Sequence, residues 1–254
     1  MGAGRLTRGQ LEGGLPALAR TMCSSKPAIA SSVKEAARGQ LAAACGLIKD
    51  GNATREEDEG VRLLRQARFP SPESLSDSDS GEVSLPDGYA IEETRSLGLV
   101  GAAQGFVLHG GCGRGKAHSS VAPGVLATER GYKVRCLETS SLVSMLKAAA
   151  TDNGSETAPK DIARADLLMM GEYGYIPMGI EGARPLYRVM SATYGARSMM
   201  VTTDIGFGRW GTVLGDAHLA TATVDRIMHH GRLVEFGGQS RRFEKALMMG
   251  RSED

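Results

Sequence analysis

Apolar residues recur at helical spacing from residue 32 onward. Val33, Ala37, Leu41, Ala44 and Ile48 share one face, Ser32 and Glu35 have the spacing of a capping box, and Gly51 is placed to end the run. Thr54 and Glu57 repeat the capping signature ahead of Val61, Leu63 and Leu64, with Arg62, Arg65 and Arg68 interleaved and Pro70 as the stop. This pattern predicts two helices. From about residue 90 it changes. Short apolar runs at 105–110, 132–137, 166–170, 198–203 and 232–236 alternate with helical segments at 116–130, 140–150 and 180–194. Continuous apolar runs between helices predict strands of one parallel sheet covered on both faces, an α/β fold. Pro123 and Pro185 fall inside two of the helical segments. A bend or break is expected at Pro123, where the ring removes a hydrogen bond and Gly124 adds its own cost.

Composition narrows the classes. Thirty Lys and Arg against 29 Asp and Glu leave a net charge of +1, which excludes a strongly basic coat. The basic residues Arg232, Arg241, Arg242 and Lys245 cluster locally near the end of the chain. Cys23, Cys45, Cys112 and Cys136 form no C-x-x-C pair, so they read as reduced cytosolic thiols. No apolar run approaches a membrane span and residues 1–14 have no secretory core, so the expected location is the cytoplasm, away from the membrane. Residues 70–88 hold Glu73, Asp77, Asp79, Glu82 and Asp87 without one Lys or Arg, the composition of a linker. The expected organisation is an N-terminal helical region over 1–69, an acidic Pro/Ser linker over 70–89, and an α/β domain over 90–254.

The chemistry concentrates in GFVLHGGCGRGKAHSS. Gly110, Gly115 and Lys116 give G-x-x-x-x-G-K between a buried strand and a helix. In such a loop the backbone N–H groups and the helix N-terminus converge on an anion, and glycines admit the phosphates. The lysine reaches the β- and γ-phosphates. The following residue normally offers Mg²⁺ a hydroxyl; here it is Ala117, and Ser119 and Ser120 lie too far along the helix to replace it. A second acidic position belongs at the end of the strand over 166–170. Gly171 stands where an Asp is expected, and Glu172 follows as a group able to orient water. The strand over 198–203 ends at Asp204, where a carboxylate would face the γ-phosphate. Arg226 sits on a helix and is a candidate to stabilise charge in a neighbouring subunit.

Taken in order, LHGGCGRGKAH, LLMMGEYGYIP, RSMMVTTDIGFGRWG, GDAHLATATVDRIMHHGRLVEFGG and SRRFEKALM resemble the IstB-like ATP-binding proteins of insertion sequences. These are AAA+ ATPases similar to the DnaC helicase loader. The resemblance covers about residues 90–250 and implies a P-loop AAA+ core behind an N-terminal helical region. It implies an ATP-dependent helper of an IstA-type transposase that forms homo-oligomers and binds DNA. On the matching positions, Gly110, Gly111, Cys112, Gly113, Arg114, Gly115, Lys116, Ala117 and His118 form the nucleotide loop. Glu172 matches the catalytic glutamate and Arg226 a trans-acting finger. Asp204 falls at the sensor asparagine and Arg242 near the late arginine.

The implied cofactors are ATP and Mg²⁺, but both protein contacts to the metal are replaced, so no metal residue is assigned. Two functions follow. One is an ATP-binding transposition helper with impaired Mg²⁺-dependent hydrolysis. The other is a non-hydrolysing scaffold for DNA or a partner, or a decayed transposon remnant.

Overall fold

The computed structural model describes residues 7, 9–11, 33, 36–70, 83–84, 97–151, 162, 164–229 and 231–240. The chain falls into two compact units, Met1–Val61 and Arg62–Asp254. Helix α1 runs Arg38–Ala67 without interruption, so Gly51 does not end a helix and Thr54 does not cap one. A single interior glycine costs only about 1 kcal/mol relative to alanine, too little to stop a long helix. The Thr54 hydroxyl instead donates to the Asp50 carbonyl at 3.0 Å, a bond made inside a helix. Ser32 and Glu35 lie outside the described residues, and the start of α1 is marked by Gln40, whose side chain accepts the Ala37 N–H at 2.8 Å. In the first unit Leu41 and Cys45 pack with Leu11.

The second unit is a six-stranded sheet. Its elements are β1 (Val83–Ser84), α2 (Gly98–Gly101), β2 (Gly105–Gly110), α3 (Lys116–Glu129), β3 (Val134–Glu138), α4 (Thr139–Thr151), β4 (Leu167–Gly171), α5 (Gly179–Thr193), β5 (Ser198–Thr203), α6 (Trp210–Leu214), α7 (Ala217–His229) and β6 (Gly231–Phe236). The strand order is β1-β6-β2-β5-β4-β3. β2 through β6 are parallel, as expected, and β1 pairs antiparallel with β6 through Val83 and Phe236. That edge strand falls in the acidic stretch that composition assigns to a linker. β2 lies between β5 and β6, neither consecutive with it, so its carboxyl end opens into the crevice where ligands of such sheets bind.

Alternate residues of each strand enter opposite layers. Val107, Leu168, Met170, Met199 and Val201 join Leu142, Leu146, Leu186 and Trp210 in one core. Phe106, Leu108, Leu167, Met169 and Met200 join Ala127, Val134 and Ala67 in the other. Both faces are therefore dry, which is why the strands read as unbroken apolar runs. Asp216 precedes α7 and accepts the Leu219 N–H at 2.9 Å. That bond holds its carboxyl below the usual range.

Helix α3 passes through Pro123 and α5 through Pro185 without a break, so of the bend or break expected at residue 123 the break does not occur. The lost hydrogen bond is offset by packing: Pro123 and Gly124 are both buried in α3. Gly124 is a point of close approach. A Cβ there would stand 2.7 Å from Met169 Sδ and 2.7 Å from Phe69 Cε1. Gly124→Ala is therefore expected to destabilise the protein by about 1–3 kcal/mol through overpacking, despite alanine's better helix propensity. A urea denaturation midpoint at or above wild type would contradict this packing.

Candidate functional site

The loop leaving β2 is shaped by its glycines and by β6. Gly110 pairs with Phe236 in register, and a Cβ on Gly110 would lie 2.5 Å from the Phe236 carbonyl oxygen. Only hydrogen fits there. Arg114, inside the loop, donates from Nη1 to the same carbonyl at 3.2 Å, so its side chain ties the loop to β6. Gly115 precedes α3 at φ 90° and offers no side-chain cap. The first-turn amides of α3 are thus left for an anion rather than for a capping oxygen.

Lys116 opens α3 and is buried, at 7 % exposure. Its ammonium donates to the Gly111 carbonyl at 2.7 Å and pairs with Asp204 Oδ1 at 2.7 Å. Sheet register explains the second contact. His109 lies opposite Thr203, so the next residues, Gly110 at the end of β2 and Asp204 just after β5, come side by side at the carboxyl edge of the sheet. Thr203 is buried and its hydroxyl donates to the Tyr173 carbonyl at 2.8 Å while accepting the Ile205 N–H at 3.2 Å. The backbone on both sides of Asp204 is held by that one threonine.

β4 delivers the third part. Gly171 ends the strand and its carbonyl accepts the Thr139 hydroxyl at 2.7 Å. Glu172 follows with φ 55°, an uncommon left-handed conformation for a side-chain-bearing residue, and its N–H donates to Thr202 Oγ1 at 3.2 Å. Its carboxylate is exposed. Behind it Tyr173 is buried against Trp210, ring centroids 4.2 Å apart, and Trp210 Nε1 donates to the Ile205 carbonyl at 3.4 Å. Burial pushes the Tyr173 phenol up. Gly174 lies against Ile205, where a Cβ would meet its side chain at 2.4 Å. The loops bearing Glu172 and Asp204 are therefore clamped to each other.

A family model described as IstB-like ATP binding protein matches residues 16–248. The chain belongs to the IstB-like ATP binding protein family. An insertion sequence IS21 protein of Pseudomonas aeruginosa is 32% identical over 187 residues, covering 74% of this chain and 71% of its own. An insertion sequence IS5376 protein of Geobacillus stearothermophilus is 28% identical over 193 residues, covering 76% and 77%. Among solved structures, AMPPCP-bound DnaA from Aquifex aeolicus matches with TM-score 0.55 at 18% identity. That match covers 73% of this chain and 58% of the DnaA chain, and the likeness is one of fold, the AAA+ P-loop fold.

Set against the positions the IstB resemblance implies, residues 110–118, Glu172 and Asp204 come together at the carboxyl ends of β2, β4 and β5. Arg226 does not join them. It lies on α7 with its guanidinium over the Tyr187 ring at 4.9 Å and the Tyr194 ring at 5.9 Å. Around it are Gly105, Phe106 and Met199, the opposite ends of β2 and β5. At about 3.3 Å per residue, the length of β2 keeps Arg226 out of reach of its own loop. Arg242 lies outside the described residues. His118, on the first turn of α3, has its Nε2 buried without a hydrogen-bond partner among the described residues.

Mg²⁺ does not fit the two positions that would hold it. Ala117 is exposed but ends in a methyl, Gly171 has no side chain, and Asp204 is engaged by Lys116. No cluster of three His, Cys, Asp or Glu able to hold a metal exists among the described residues. No helix among them is long and apolar enough to cross a membrane. Sequence reasoning missed Thr139 and Trp210. The sign for Thr139 is a threonine directly after a strand; the clamp made by Trp210 has no local signature.

Cys112 is exposed within the loop, whereas Cys45 is buried and burial pushes the Cys136 thiol up to about 11. Peptide mass spectrometry after iodoacetamide treatment at pH 8 is expected to find Cys112 alkylated well ahead of Cys45 and Cys136, with ADP slowing Cys112 alone. Equal rates, or no protection by nucleotide, would contradict the loop geometry.

Proposed function

We propose that this chain is the nucleotide-binding component of an insertion sequence, acting with an IstA-type transposase on DNA, with Mg²⁺-dependent hydrolysis impaired. The observation that carries the reading is the buried Lys116 ammonium at the mouth of a glycine loop between a strand and a helix. Family membership and the insertion-sequence relatives support the biological setting.

Each part of the site has a task in this reading. The loop amides and the α3 N-terminus hold the phosphates, and Lys116 supplies a positive charge. Glu172 orients water at the end of β4. Arg226, at the far end of the sheet, acts only on the nucleotide of a neighbouring copy. That requires a head-to-tail oligomer, in which one subunit's β2 amino end faces the next subunit's loop. The aromatic rings of Tyr187 and Tyr194 keep the guanidinium ordered until then. The second reading, a non-hydrolysing scaffold, is favoured by one feature of the site: neither Ala117 nor Gly171 carries a ligating atom.

Restoring the metal positions tests the proposal. A Cβ on Gly171 meets nothing nearer than 3.9 Å and Ala117 is exposed, so Ala117→Thr with Gly171→Asp is sterically admissible. Phosphate release from Mg²⁺-ATP is expected at background for wild type and at least about tenfold higher for the double variant, since the metal carries much of the transition-state charge. Wild-type turnover well above background and equal to that of the double variant would show that hydrolysis is not impaired at these positions.

A further inference from the structure

We infer that the phosphate site selects a nucleoside diphosphate over a nucleoside triphosphate, because Asp204 already occupies the side of Lys116 that a terminal phosphoryl group would need. The inference rests on the nucleotide-binding reading above and specifies its ligand.

An ammonium has three donors. Lys116 gives one to the Gly111 carbonyl and one to Asp204 Oδ1, both at 2.7 Å. One remains. That is enough for a single phosphate oxygen beside the loop amides, and too few to bridge two phosphoryl groups while both internal contacts last. Lys116 is buried on α3, so its ammonium has little freedom to turn toward a longer polyphosphate.

The competing carboxylate is also held in place. Asp204 follows β5, whose register with β2 puts it beside Gly110. The Thr203 hydroxyl secures the backbone before and after it through Tyr173 and Ile205. A third phosphoryl group would therefore meet the Asp204 carboxylate at the loop mouth.

Among the described residues of the loop itself, the cation that could offset this charge is committed. Arg114 is directed to the Phe236 carbonyl on β6. Ala117 and Gly171 offer nothing to a metal that would otherwise carry the compensating charge. A diphosphate avoids the conflict. Its terminal group takes the loop amides and the one remaining lysine donor, and the Lys116–Asp204 pair stays intact.

The test is competition by ADP and by ATP against N-methylanthraniloyl-ADP on the full chain, with EDTA and with Mg²⁺. ADP is expected to bind at least about tenfold more tightly than ATP in EDTA, and Mg²⁺ to leave that ratio within about threefold. Asp204→Asn removes the charge and is expected to raise ATP affinity more than ADP affinity, narrowing the ratio at least about fivefold. ATP binding as tightly as ADP in wild type, or a ratio unmoved by Asp204→Asn, overturns the inference and leaves nucleotide binding standing. If neither nucleotide competes at millimolar concentration, the nucleotide-binding reading fails and the inference with it.

Discussion

A buried ammonium must be paired, since taking an isolated charge out of water costs several kcal/mol. Lys116 meets that requirement with one carbonyl from its own loop and one carboxylate from the next strand. The site is organised around this constraint. β2 supplies the loop, α3 buries the lysine, and β5 brings the carboxylate to it. A different register between β2 and β5 would carry Asp204 away and leave the charge uncompensated. The anion-binding loop and the sheet that supports it are in this sense one structure.

The same constraint gives the loops at the sheet's carboxyl end their rigidity. Thr202 and Thr203, both buried, spend their hydroxyls on the segments bearing Glu172 and Tyr173. Trp210 closes the arrangement from below by stacking on Tyr173 and bonding to Ile205. Small side chains or none at Gly110, Gly124 and Gly174 let backbone, helix and loop approach closely. The protein's high glycine content thus has structural uses beyond loops, and at these three glycines a methyl group would force a neighbour to shift.

Much of the fold was legible in the chain. The runs at 105–110 and 198–203 coincide with β2 and β5, because a strand buried on both faces must be apolar throughout. The phosphate loop was legible for a related reason: glycines and a lysine at fixed spacing have few other uses between a strand and a helix. Three features were not. Gly51 suggested a helix end and Pro123 a bend or break, and the helices continue through both. The edge strand at Val83–Ser84 takes its stability from β6, not from local propensity. The contact between Lys116 and Asp204 depends on register between strands far apart in sequence, and single-residue patterns do not encode register.

Lys116 and Asp204 stabilise each other in the nucleotide-free protein. A double-mutant cycle with Lys116→Met and Asp204→Asn, read by urea denaturation without nucleotide, measures that coupling directly. An interaction energy of about 1–2 kcal/mol is expected, within the range for residues that share a contact or salt bridge. Effects that add within about 0.3 kcal/mol would mean the two side chains act independently, and the account of the site would not stand.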